Sequence, residues 1–130
     1  MNAAARAQQR YQEEAVLSAT PQRLVTMLYH RLLLDIDRGE AALRAEDWTA
    51  ANGHLQHAQA IVAELSATLT DEWSGSQGLR DIYAFLNRTL IAANIGRDAE
   101  SAHECRKLVA PLCDAWHEAA SRLAAASASA

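Results

Sequence analysis

The sequence predicts an all-α protein, an antiparallel up-and-down four-helix bundle with a mobile N-terminal arm, and three observations carry that reading. Much of the 50% hydrophobic content is Ala and aromatics are only 5%, so strong helix formers dominate, while five Gly and two Pro are too few for the many turns of an all-β fold. Apolar residues recur at spacings of three and four in four successive segments, joined mostly by short connections that make neighbouring helices antiparallel. A length of 130 residues suits one domain with a real core.

Each element has its own signals. Thr20 can cap the first helix, with Pro21 at its first position, where a missing N–H is harmless. Leu24, Val25, Leu28, Tyr29, Leu32, Leu33 and Ile36 spread over half of its circumference as a core arc. Met27 and Leu34 fall outside that arc among Arg23, Arg31 and Arg38, forming a second apolar stripe. Gly39 weakens the helix without a cap pattern to stop it, so it extends to about Arg44.

Asp47 can cap the second helix, where Trp48, Ala51, Leu55, Ala58, Val62, Leu65 and Leu69 form a heptad seam with Ile61 on its shoulder. "DEWSGSQG" is the one obvious long loop. The third helix carries Leu79, Ile82, Tyr83, Leu86, Leu90 and Ala93 inward, while Phe85, Ile91 and Ile95 project away. Gly96 reads as its terminator and Asp98 as the next cap. The fourth helix runs from about Ala99 to Leu123, with Cys105, Leu108, Leu112, Trp116, Ala119 and Leu123 on one face and Pro111 opposite, bending it. The organisation is then an arm over 1–19, a bundle over 20–124 and a disordered tail over 125–130.

Charge and cysteine usage narrow the function. A formal net charge of −4, with scattered Lys and Arg, argues against nucleic acid as a partner. No apolar run approaches the roughly 18 residues of a membrane span, and the N-terminus lacks a secretory apolar region, so a cytosolic protein without membrane insertion is expected. Cys105 and Cys113 would sit about 12 Å apart along one helix, too far for a disulfide, and should be free thiols.

Catalytic chemistry finds little support. Glu100–His103 and Asp114–His117 have a Glu-x-x-His type of spacing, but both lie on one helix and point away from its core face, whereas a di-iron centre draws ligands from several helices. His54 and His57 are too few for zinc, and neither cysteine has a partner that would make it a nucleophile. No phosphate-cradling Gly loop is present. No enzyme, cofactor or metal is expected. What remains is surplus apolar surface, at Met27 and Leu34 and at Phe85, Ile91 and Ile95, of the kind that accepts an amphipathic partner helix.

From Tyr11 to Trp116 the chain resembles the flagellin-specific export chaperones, the FliS family. The resemblance lies in "SATPQRLVTMLY" (18–29), "AQAIVAELSATL" (58–69), "IYAFLNRTLIAANIGRD" (82–98) and "DAW" (114–116), in one register. Phe85 replaces a second Tyr of the family pattern and Thr89 a second Arg, leaving Arg88, while Cys105 and Pro111 replace ordinary helix formers. The resemblance implies a bundle that holds the C-terminal helical segment of flagellin unpolymerised in the cytosol and brings it to the type III export gate. It implies contacts at Met27, Leu28, Ile61, Leu65, Ile91, Asn94 and Ile95, with Leu34 on the same stripe as Met27, and an arm whose Tyr11 can cover the groove. Leu28 and Leu65 also belong to the seam, and Asn94 could bond either a partner backbone or its own loop near Gly96. The alternative is a self-associating or adaptor bundle without flagellin specificity, for which the same stripes would support a weak homodimer.

Overall fold

The structure is a computed structural model that describes residues 2–7 and 21–129. A short helix α1 spans 3–7. Four long helices follow, α2 (Pro21–Arg44), α3 (Trp48–Ala67), α4 (Ser76–Gly96) and α5 (Ala99–Ser129). α2 packs on α3 and α5, and α4 packs on α3 and α5, so the four close into a ring.

Side-chain pairs give the directions. Along the α2–α5 seam Arg44 meets Glu100 at 3.1 Å, Glu40 meets His103 at 3.0 Å, Asp37 meets Arg106 at 2.7 Å, and the His30 and His117 rings lie 5.5 Å apart. One number falls as the other rises, so the helices are antiparallel. On the other side of α2, Asp35 pairs with His57, and Gly39 faces Leu55, whose Cδ2 would lie 2.6 Å from any Cβ added there. That close approach explains a glycine inside a 24-residue helix that it would otherwise weaken.

The connections after α2 and α4 are built alike. Asp47 N–H donates to Ala42 and Glu46 N–H to Leu43, and likewise Asp98 N–H to Ala93 and Arg97 N–H to Asn94. In each case the residue before the Asp is left-handed, Glu46 at φ 59° and Arg97 at φ 52°, which completes a Schellman ending. Each Asp then caps the next helix. Asp47 accepts from Ala50 N–H at 3.2 Å, and Asp98 from Glu100 N–H at 3.1 Å and the Ser101 hydroxyl at 2.7 Å. That hydroxyl, with the Ser101 and Glu100 amides, holds the Asp98 carboxyl below its ordinary value. α4 ends at Gly96, and the left-handed residue after it is Arg97, whose guanidinium lies 4.5 Å over the Trp48 ring.

Two features of α5 correct the sequence reading. Its buried line is Ala102, Cys105, Val109 and Cys113, with Leu108, Leu112 and Trp116 flanking it, while Ala119 and Leu123 are exposed. Small side chains fit here because Tyr29, Leu32 and Ile36 of α2 fill the space between the helices. The helix also continues to Ser129, through the residues read as a tail, in keeping with the high helix propensity of their alanines.

A polar contact lies inside the bundle. The hydroxyls of Tyr29 and Tyr83 lie 2.5 Å apart, both buried, joining α2 to α4. Trp116 of α5 stacks on Tyr29 with ring centroids 6.2 Å apart. Burial pushes the Tyr29 phenol up, against the opposing hydrogen bonds of Tyr83 and Trp116, and burial together with the bond to Tyr29 pushes Tyr83 up.

Tyr29→Phe strands the buried Tyr83 hydroxyl and should cost about 1–3 kcal/mol, Tyr83→Phe should cost less because Tyr29 keeps its bond with Trp116, and the double change should cost less than the sum, as read by urea unfolding. Because both phenols are raised in the fold, the unfolded chain loses its phenolic protons first. Their contribution is therefore complete below about pH 10 and is lost as pH rises beyond it, which a pH series of melting curves checks against the double Phe variant.

Candidate partner-binding surface

α4 divides its side chains between two faces. The three-and-four spacing turns Leu79, Tyr83, Leu86, Leu90 and Ala93 into the core, so Ile91 and Ile95 emerge on the outside, 38% and 80% exposed. Phe85 is also exposed, toward a flank of the same helix. Beside Ile95, Asn94 donates through Nδ2 to Asn52 Oδ1 of α3 at 2.9 Å. The side chain thus bonds a neighbouring helix and not its own loop near Gly96.

The seam between α3 and α4 is grooved. One hollow of about 230 Å³ is lined by Ala63 and Ser66 of α3 and by Arg80, Ala84 and Asn87 of α4, with Val62 and Tyr83 beneath. A second, also about 230 Å³, lies near the α2–α3 turn between Trp48, Asn52, Asn94, Ile95 and Arg97. The Arg80 guanidinium is engaged by Asp71, and the Arg97 guanidinium covers Trp48.

On the opposite side of the bundle, Leu34 is 40% exposed on α2. Met27 is half-buried and lines an open groove of about 730 Å³ with His30 of α2 and His117, Ala120 and Leu123 of α5. Leu28 is half-buried and packs against the core. Tyr11 lies outside the described residues. The predicted contacts thus fall on two surfaces, Met27 and Leu34 on α2, and Ile91, Asn94 and Ile95 on α4.

Ile61 and Leu65 belong to neither. They are 5% and 0% exposed, in the core. The shoulder assigned to Ile61 is corrected because α3 packs against both α2 and α4, so its buried arc is wider than one heptad seam.

The sequence reading passed over Asp35. Its side chain is fully buried, accepting from Arg31 Nε at 3.1 Å and from the His57 ring of α3. The available signal was a carboxylate set inside the apolar run "LLLDI", which a core helix accepts only when the charge is paired. Across the other seam, burial works to raise the Glu40 pKa, but hydrogen bonds from His103 and Arg44 outweigh it and hold the carboxyl low.

No cluster of three or more His, Cys, Asp or Glu able to hold a metal occurs among the described residues. Both thiols are free and buried, and burial pushes Cys105 up to about 11 and Cys113 upward in the same sense. Such thiols are poor nucleophiles. No helix among the described residues is long and apolar enough to cross a membrane.

Comparison with known proteins supplies relatives. A family model described as "Flagellar protein FliS" matches residues 3–123. The flagellar secretion chaperone FliS of Bacillus subtilis (strain 168) is 34% identical over 109 residues, covering 84% of this chain and 82% of that protein. The protein of the same name from Escherichia coli (strain K12) is 30% identical over 109 residues, covering 82% and 80%. A solved bacterial flagellar chaperone shares the fold, with a TM-score of 0.71 at 17% identity over 91% of this chain and 98% of that chain.

The division between core and surface is directly measurable. Leu65→Ala should lower stability by about 2–5 kcal/mol by leaving a cavity, whereas Ile95→Glu should leave the melting temperature nearly unchanged, since its side chain already faces water.

Proposed function

This chain belongs to the FliS family of flagellar secretion chaperones, and from that premise we propose that it binds the C-terminal helical segment of flagellin in the cytosol, prevents its premature polymerisation and delivers it to the flagellar type III export apparatus. Its relatives are named as chaperones, a non-enzymatic role, and the chain is not an enzyme.

The observation that carries the proposal is the outer face of α4. Ile91 and Ile95 are exposed although the core is complete without them, and Ile95 borders a hollow shared with α3. An amphipathic helix laid on such a face buries its apolar side chains and hides them from other copies of itself. A segment that is disordered before binding loses conformational entropy as it folds, so it needs a long wrapped surface to bind well. The α2 stripe of Met27 and Leu34, on the far side of the bundle, extends that surface, and the arm carrying Tyr11 is its natural competitor.

Calorimetric titration with the C-terminal segment of the organism's own flagellin tests this, with saturable one-to-one binding expected. Ile95→Glu and Met27→Glu should each weaken binding at least tenfold while keeping the helical circular dichroism signal. Absence of binding by the unaltered chain, together with a stable dimer in light scattering, would replace the proposal with the self-associating reading. Deleting residues 1–17 should change the affinity and not the melting temperature. Unchanged affinity would remove Tyr11 from the contact set.

A further inference from the structure

Resting on the flagellin-binding reading, we propose that Asn52 and Asn94 together read a carboxamide: the helix that docks along α4 sets an Asn or Gln on this pair, between apolar residues that cover Ile91 and Ile95. The pair is held by two different helices, and Asn52 faces solvent while Asn94 is half-buried. A carboxamide has two N–H donors and a carbonyl with two lone pairs. The single 2.9 Å bond consumes a donor of Asn94 and a lone pair of Asn52. Both amide donors of Asn52 and the carbonyl of Asn94 are left to bond outward.

In the free protein those groups can bond water. A docked helix that covers the exposed Ile95 beside them displaces that water and must supply both an acceptor and a donor. An apolar side chain supplies neither, a carboxylate only the acceptor, and an ammonium only the donor. A carboxamide supplies both from one planar group. No acidic residue lines this hollow, and its one cation, Arg97, lies over the Trp48 ring. The pair then acts as polar groups at helix interfaces do, fixing the register of the incoming helix as well as its identity.

The experiment uses the full chain and synthetic flagellin C-terminal segments in which each Asn and Gln is changed in turn to Leu and to Glu. One position should weaken binding about tenfold or more on either change, the cost of leaving buried polar groups unmatched. That loss should shrink to within about twofold in the Asn52→Leu/Asn94→Leu protein, where no polar group is left to match. If the double variant does not fold, Asn52→Ala, at an exposed position, should shrink the loss in part, because only the Asn94 amide is then left to match. If the parent peptide binds but every amide position tolerates Leu, or Glu binds as well as the native amide, the amide-reading role is overturned while flagellin binding stands. If the parent peptide does not bind, both fall together.

Discussion

Tyr29 and Tyr83 sit on helices that are diagonal in the ring, and their hydroxyls meet where both are shut off from water. The Tyr83 hydroxyl depends on Tyr29, because a buried hydroxyl without a partner costs about as much as several ordinary surface contacts contribute. Sliding α2 against α4 by one residue would separate the pair, so their contact fixes the register of two helices that share no long seam. Trp116 stacked on Tyr29 brings α5 into the same arrangement. The apolar core is permissive about register, and this polar contact is not.

A fixed register has a functional side. It determines which residues of α4 are left outside once Leu86, Leu90 and Ala93 are inside, and those are Ile91 and Ile95. The same holds for α2, where burying Leu32 and Ile36 leaves Leu34 exposed. The proposed partner-binding surface is therefore no separate module. It is the complement of the core, and a change in packing would move it.

Helix positions were readable from the sequence because three-and-four spacing, Pro21, Asp47 and Asp98 are local signals. The outward position of Ile91 and Ile95 followed from the same wheel. What the wheel could not supply was which neighbours each helix has. Ile61 looked peripheral because one seam was assumed, and its burial depends on α3 lying between two helices. The core face of α5 was read through Cys105, Leu108 and Leu112 to Leu123, whereas the buried line runs from Cys105 through the smaller Val109 and Cys113, opposite large partners on α2. Asp35 with His57, and Asn52 with Asn94, are pairs between segments distant in sequence, and no local pattern announces them.

The two turns built alike, one ending at Asp47 and one at Asp98, have a kinetic consequence. Each is closed by its own backbone bonds and capped by its own carboxylate, so α2–α3 and α4–α5 are hairpins specified by neighbours in sequence. Contacts that are local in sequence form quickly because little loop entropy is lost in making them. On an emerging chain the first hairpin can assemble before the second has left the ribosome. The contacts that wait for the end of the chain are those of α5, the seam with α2 that closes the ring and the Trp116 stack on Tyr29 among them.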